Sequence, residues 1–126
     1  MRNFRNLVLG LVLVILSPLG WGEDVYYCVE EHSVSLEPTD SGDTYELNRY
    51  KGTKFTFKYE AAGNRLAVSG WGKELYYLDC RHCYPTSGVF HASDGLVVFA
   101  LREGRFNSAG AYYSSADAGS GTCTKF

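Results

Sequence analysis

Cys80-Arg81-His82-Cys83 is the segment of this chain best suited to chemistry by residue type and spacing. Two cysteines separated by two residues can cycle between dithiol and disulfide, and Arg81 and His82 would stabilise a thiolate by their charge. The oxidoreductase form of the motif opens a helix within a βαβ unit, whereas Tyr84-Pro85-Thr86-Ser87-Gly88 here is turn chemistry. Tyr84 also stands where haem attachment needs a histidine. A four-cysteine zinc site needs a second close pair, and Cys28 and Cys123 are far apart along the chain. The motif therefore reads first as a structural disulfide, with a redox-active Cys80/Cys83 pair as the alternative.

Glu30-Glu31-His32 offers metal-ligating types. On a regular strand Glu30 and His32 share one face and Glu31 takes the other. Two ligands do not make a site, and nothing in the sequence places His82 or His91 beside them, so a solvated strand end is expected. Asp40 and Asp43 flank Gly42 without the spacing of a calcium loop. No G-x-S-x-G, H-E-x-x-H or phosphate-cradling glycine loop occurs. Paired glycosidase carboxylates would be a matter of spatial rather than sequence spacing, and a domain this small leaves little room for a deep cleft. No catalytic residue, metal or cofactor is assigned, and the reading is binding rather than catalysis.

The aromatic residues carry that reading. Ten tyrosines occur, six of them in the adjacent pairs Tyr26-Tyr27, Tyr76-Tyr77 and Tyr112-Tyr113. Each pair falls in an expected strand, where neighbours point to opposite faces, so one ring enters the core and one stays outside. Three outward rings side by side would form a platform for a small molecule, a glycan or a protein. The plainer alternative is that tyrosine favours strands and covers sheet faces through cross-strand pairs.

The elements that must position these residues are strands. Val25–Val29 is β-branched and aromatic, and Phe55, Phe57 and Tyr59 alternate with polar neighbours. Further strands are expected at Arg65–Ser69, Leu75–Cys80, Gly88–Ala92, Leu96–Leu101, Phe106–Tyr113 and Thr122–Phe126. Turn residues separate them at 37–44, Ala61–Asn64, Ser93–Gly95 and Arg102–Gly104, and Ser114–Gly121 reads as a flexible loop. No stretch is patterned as a crossover helix. About eight short strands imply an all-β antiparallel meander, closed as a barrel or packed as a sandwich.

Residues 1–22 read as a signal peptide. Arg2 and Arg5 precede the apolar run Leu7–Leu16, Ser17-Pro18 breaks it, and Gly20-Trp21-Gly22 supplies small residues before Glu23. Ten helical residues cover about 15 Å, half of a roughly 30 Å hydrocarbon core, so the membrane is expected to be met only in transit. Extending the run to Trp21 would make a marginal anchor, the lesser alternative. Residues 23–126 then form one domain of periplasmic or secreted address. It keeps 10 basic residues against 14 acidic ones, and that mild acidity argues against nucleic acid as a partner.

Four cysteines in an exported domain allow three pairings. The chain-entropy model favours Cys28 with Cys123, at about 4.7 kcal/mol against about 2 for Cys80 with Cys83. In a closed meander the first and last strands are neighbours, which brings Cys28 and Cys123 within disulfide reach. Cys80–Cys83 follows by elimination; the pairings 28–80 with 83–123 and 28–83 with 80–123 stay open.

Val25-Tyr26-Tyr27-Cys28-Val29-Glu30-Glu31, Tyr50–Phe55 and the tail Gly121-Thr122-Cys123-Thr124-Lys125-Phe126 resemble a loose group of small exported bacterial proteins. Those begin with an aromatic-Cys-acidic segment and end in Gly-[Ser/Thr]-Cys-x-Lys-Phe. The resemblance implies export and a cysteine in each terminal strand. It brings no function and no site residues, and Cys80–Cys83 falls outside it. A structural envelope component without a ligand is the third functional alternative.

Overall fold

A computed structural model describes residues 24–50, 52–72 and 74–126. The expected signal peptide lies outside them. Among the described residues nine strands follow one another: β1 (Val25–Pro38), β2 (Tyr45–Tyr50), β3 (Lys54–Glu60), β4 (Arg65–Ser69), β5 (Tyr76–Tyr84), β6 (Val89–Ser93), β7 (Val97–Arg102), β8 (Arg105–Ala111) and β9 (Ala116–Lys125). Neighbours pair antiparallel from β3 to β9, and β9 pairs again with β1 over Tyr26–Leu36. The fold is thus an eight-stranded closed barrel rather than a sandwich, with β2 as a ninth strand outside the ring.

The 14 residues of β1 explain that arrangement. Val25–Val29 pairs with β3 along one edge, and Ser33–Pro38 pairs with β2 further along the same edge. The opposite edge belongs to β9 throughout. Cys28 stands opposite Cys123 at this seam, and the two are bonded with Cα atoms 4.0 Å apart. The staple expected from loop entropy therefore closes the barrel.

Side chains alternate as a half-buried wall requires. In β7, Val97, Phe99 and Leu101 point in while Val98, Ala100 and Arg102 point out. The interior is filled by rings: Phe57, Phe90, Phe99 and Phe106 are each 1% exposed. Tyr26 stacks on Phe57 with centroids 4.8 Å apart. Burying each such ring is worth roughly 1.5–3 kcal/mol, so these rings carry much of the stability. The β7–β8 reversal uses Glu103 and Gly104, both at positive φ (53° and 76°), as a two-residue primed turn demands.

Two bulges break the alternation, each with the same result. On β1 the register shifts between Glu30 and His32, and on β5 between Cys80 and His82. The extra residue, Glu31 or Arg81, brings residues three apart onto one face. Glu30 and Ser33 both line the interior of the barrel mouth, and Cys80 and Cys83 both pack against the core. This corrects the expected pairing of Glu30 with His32: the bulge sends His32 outside, opposite Ser120 on β9.

Two further expectations are corrected. The expected flexible loop Ser114–Gly121 is strand from Ala116 onward, because its small residues pair with both β8 and β1. Tyr112-Tyr113 is not in a strand: the chain reverses there, and the Tyr112 N–H donates to the Ser115 carbonyl at 2.8 Å.

Candidate functional site

The barrel interior opens at one end into a cavity of about 320 Å³. This is the end where β1 passes its bulge, β5 and β7 begin, and β8 gives way to β9. Its lining includes Glu30, Ser33, Trp71, Tyr76, Tyr112 and Asp117. Trp71 lines the cavity and packs against the core, its ring 5.2 Å from Phe55 and 5.9 Å from Tyr76.

Glycine makes room for the polar groups. A Cβ on Gly119 would fall 2.3 Å from Oε2 of Glu30, so the carboxylate lies against bare backbone. A Cβ on Gly110 would fall 2.6 Å from the Tyr112 hydroxyl and 2.7 Å from Oδ1 of Asp117. Glycine inside a strand often marks such close approach.

Burial pushes the Glu30 carboxyl above its ordinary value; a hydrogen bond from Ser33 opposes this, and the charge of Asp117 adds to it. Asp117 is raised too, by burial, although hydrogen bonds from Tyr112 and the Gly110 N–H pull it back. Ser35 faces Asp117 in the β1–β9 register, and its buried hydroxyl has no hydrogen-bond partner among the described residues.

Tyr76 donates a hydrogen bond to Asp94 in the β6–β7 turn. Burial first, then that bond and the neighbouring charge, push its phenol up to about 12. Burial alone would raise Asp94, but the Tyr76 bond and the N–H groups of Val97 and Leu96 outweigh it and hold the carboxyl low. The two backbone donors reach Oδ1 at 2.8 and 2.9 Å. Tyr112 is raised by burial and by the charges of Asp117 and Asp94.

The six tyrosines singled out by the sequence divide three ways. Tyr26 is a core residue, 6% exposed. Tyr76 and Tyr112 meet at the barrel mouth. Tyr27, Tyr77 and Tyr113 are outside but form no common platform. Tyr27 on β1 packs edge-on to Phe126 at 5.1 Å, and Tyr77 on β5 lies under the Arg65 guanidinium at 3.9 Å. Strands β3 and β4 intervene, roughly 14 Å of curved sheet. Tyr113, in the turn after β8, is fully exposed.

Cys80 and Cys83 are bonded, with Cα atoms 5.7 Å apart, at the end of the barrel away from the cavity. The motif sits within a strand, so no helix N-terminus acts on it; a 3₁₀ turn, Pro85–Ser87, follows. His82 stacks on His91 across the outer face at 6.0 Å. Among the described residues no cluster of three or more His, Cys, Asp or Glu could hold a metal ion.

A second depression of about 340 Å³ lies on the outer wall, beside Tyr27, Val29 and Lys54. Among its described lining residues Lys54 is the one charged group. Sequence reasoning missed Trp71, Asp94 and Asp117 as site residues. The available signal was glycine at alternate inward positions of β9, Gly119 and Gly121, in a segment too small-sided to read as strand. Among the described residues no helix is long and apolar enough to cross a membrane. The two disulfides are compatible with a non-cytoplasmic address. No protein-family model, curated protein or solved structure matches this chain.

Proposed function

We propose that the protein is a binding module, periplasmic or secreted, that takes a small ligand into the open end of its barrel. One observation carries the reading: Trp71, Tyr76, Tyr112, Glu30 and Asp117 arrive from separate strands and turns at one cavity. A concave site with apolar walls and a few convergent polar groups is the usual form of a small-molecule site, and about 320 Å³ is near the small end of the range. The aromatic surface expected from the tyrosine pairs is thereby relocated from the outer wall to the mouth.

The same reading gives Cys80–Cys83 a structural part. Both cysteines are half-buried against the core, and the bond spans the β5 bulge. Protein-observed NMR during titration with a mixed panel of small amines, sugars and carboxylates tests the proposal. Binding of at least one member, with shifts at the Trp71 indole and the Tyr76 and Tyr112 rings, is the expected result. Silence of the mouth toward the whole panel overturns it.

A further inference from the structure

We propose that the ligand of the barrel mouth is an organic ammonium ion, its charge set between Glu30 and Asp117 and its alkyl groups against Trp71, Tyr76 and Tyr112. This inference rests on the mouth being a ligand site, and it names the chemistry of that ligand.

Charge gives the first argument. Among the described lining residues two are acidic and none is Lys, Arg or His. Glu30 comes from β1 and Asp117 from β9, both line the one cavity, and the Glu30 carboxyl senses the charge of Asp117. Asp94 adds a third negative charge just behind Tyr76. A neutral sugar would bring no charge to the two carboxylates and would take water from them. A cation would neutralise both.

The walls give the second argument. Ring faces attract cations by about 0.5–1 kcal/mol when exposed and about 2 kcal/mol or more when desolvated. Quaternary and methylated ammonium groups exploit this best, since they present alkyl surface and charge together. A hard metal ion would gain little from three rings and needs roughly six or more oxygen ligands. The mouth offers too few carboxylates for that, and the described residues hold no cluster suited to a metal.

Space gives the third. With no Cβ on Gly119, the Glu30 carboxylate lies back against the wall rather than across the opening. The charge thus lines the cavity and leaves its centre to the ligand.

Calorimetric titration of the folded domain with choline, putrescine, N-acetylglucosamine and calcium chloride tests the inference. Choline or putrescine should bind, quench Trp71 fluorescence, and lose at least tenfold in affinity in the Glu30→Gln/Asp117→Asn double variant. The variant's thermal melt checks that it folds; if it does not, Trp71→Phe and a salt series on the native chain give the same comparison. Binding of N-acetylglucosamine at the mouth without either amine overturns the ammonium assignment and leaves the site standing. Calcium binding in place of the amines overturns it likewise, as does amine binding that ignores the double variant. No binding by any of the four, nor by the wider panel, removes both the inference and the site.

Discussion

The phenol of Tyr76 and the carboxylate of Asp94 tie the start of β5 to the β6–β7 turn. The same carboxylate accepts from the N–H groups of Leu96 and Val97, so one side chain organises a turn and fixes a ring of the mouth. Tyr76→Phe should cost about 1–2 kcal/mol in chemical denaturation, since Asp94 keeps its backbone donors.

The low carboxyl of Asp94 and the high phenol of Tyr76 predict opposite limbs of a stability profile. For Asp94 the folded value lies below the unfolded one, so its stabilisation is present above pH about 4 and is lost as pH falls through the folded value. For Tyr76 the neutral phenol is favoured in the fold, so stability is lost as pH rises from about 10 to about 12. Melting curves across pH should show both limbs flattened in Tyr76→Phe.

Glu30 and Asp117 behave in the reverse sense to Asp94. Their folded values are raised, so each charged form is disfavoured, and stability is gained as pH falls from neutral through those values. The titratable groups that act on them are Asp117 on Glu30 and Tyr112 on Asp117, with Tyr76 and, behind it, Asp94 at the same mouth; no cation is among the described lining residues. Glu30→Gln or Asp117→Asn should leave stability at pH 7 unchanged or raise it by up to ~0.5 kcal/mol, discounted for solvent screening. Ammonium binding should weaken over the same acid range, as the carboxylates protonate, which calorimetry at stepped pH reads directly.

Two glycine substitutions separate folding from site geometry. A Cβ on Gly52 would lie 1.2 Å from the backbone carbonyl oxygen of Glu30, which cannot move without breaking the pairing beside the bulge. Gly52→Ala should cost about 3 kcal/mol or more. On Gly119 the obstacle is the free end of the Glu30 side chain, which can swing away. Gly119→Ala should melt within a few degrees of the parent yet lose ammonium binding.

The two disulfides should differ in weight. Their sequence separations are 95 and 3. By loop entropy, Cys28→Ser/Cys123→Ser should cost about 4–5 kcal/mol and Cys80→Ser/Cys83→Ser about 2 kcal/mol, measured by denaturant midpoints. A Cys80–Cys83 reduction potential below about −300 mV would mark it as structural; a value near those of oxidoreductases would instead favour the redox reading.

What the sequence made legible follows from periodicity. Phe55, Phe57, Leu66, Val68, Phe99 and Leu101 alternate cleanly, and the strands they mark are where they were expected. β2 gave no such signal, because Tyr45–Tyr50 is exposed on both faces and owes its form to pairing with β1. The bulges at Glu31 and Arg81 were invisible for a related reason: one inserted residue follows from the partner strand's register, not from local composition. The mouth was half legible. Tyr76 and Tyr112 stood out as aromatic pairs, whereas Trp71, Asp94 and Asp117 meet them only through closure of the ring.

The rings beneath Trp71 form an unbroken series, from Phe55 to Phe99 to Phe57 to Phe90, each within 6.1 Å of the next. The barrel is therefore a cup and not a conduit. A ligand taken up as proposed would leave by the route it came, through the doorway at the mouth. That doorway is framed by the β6–β7 turn, which Asp94 braces, and by the reversal at Tyr112. For a ligand bound as proposed, residence time would then be set by these two short turns rather than by the eight-stranded wall behind them.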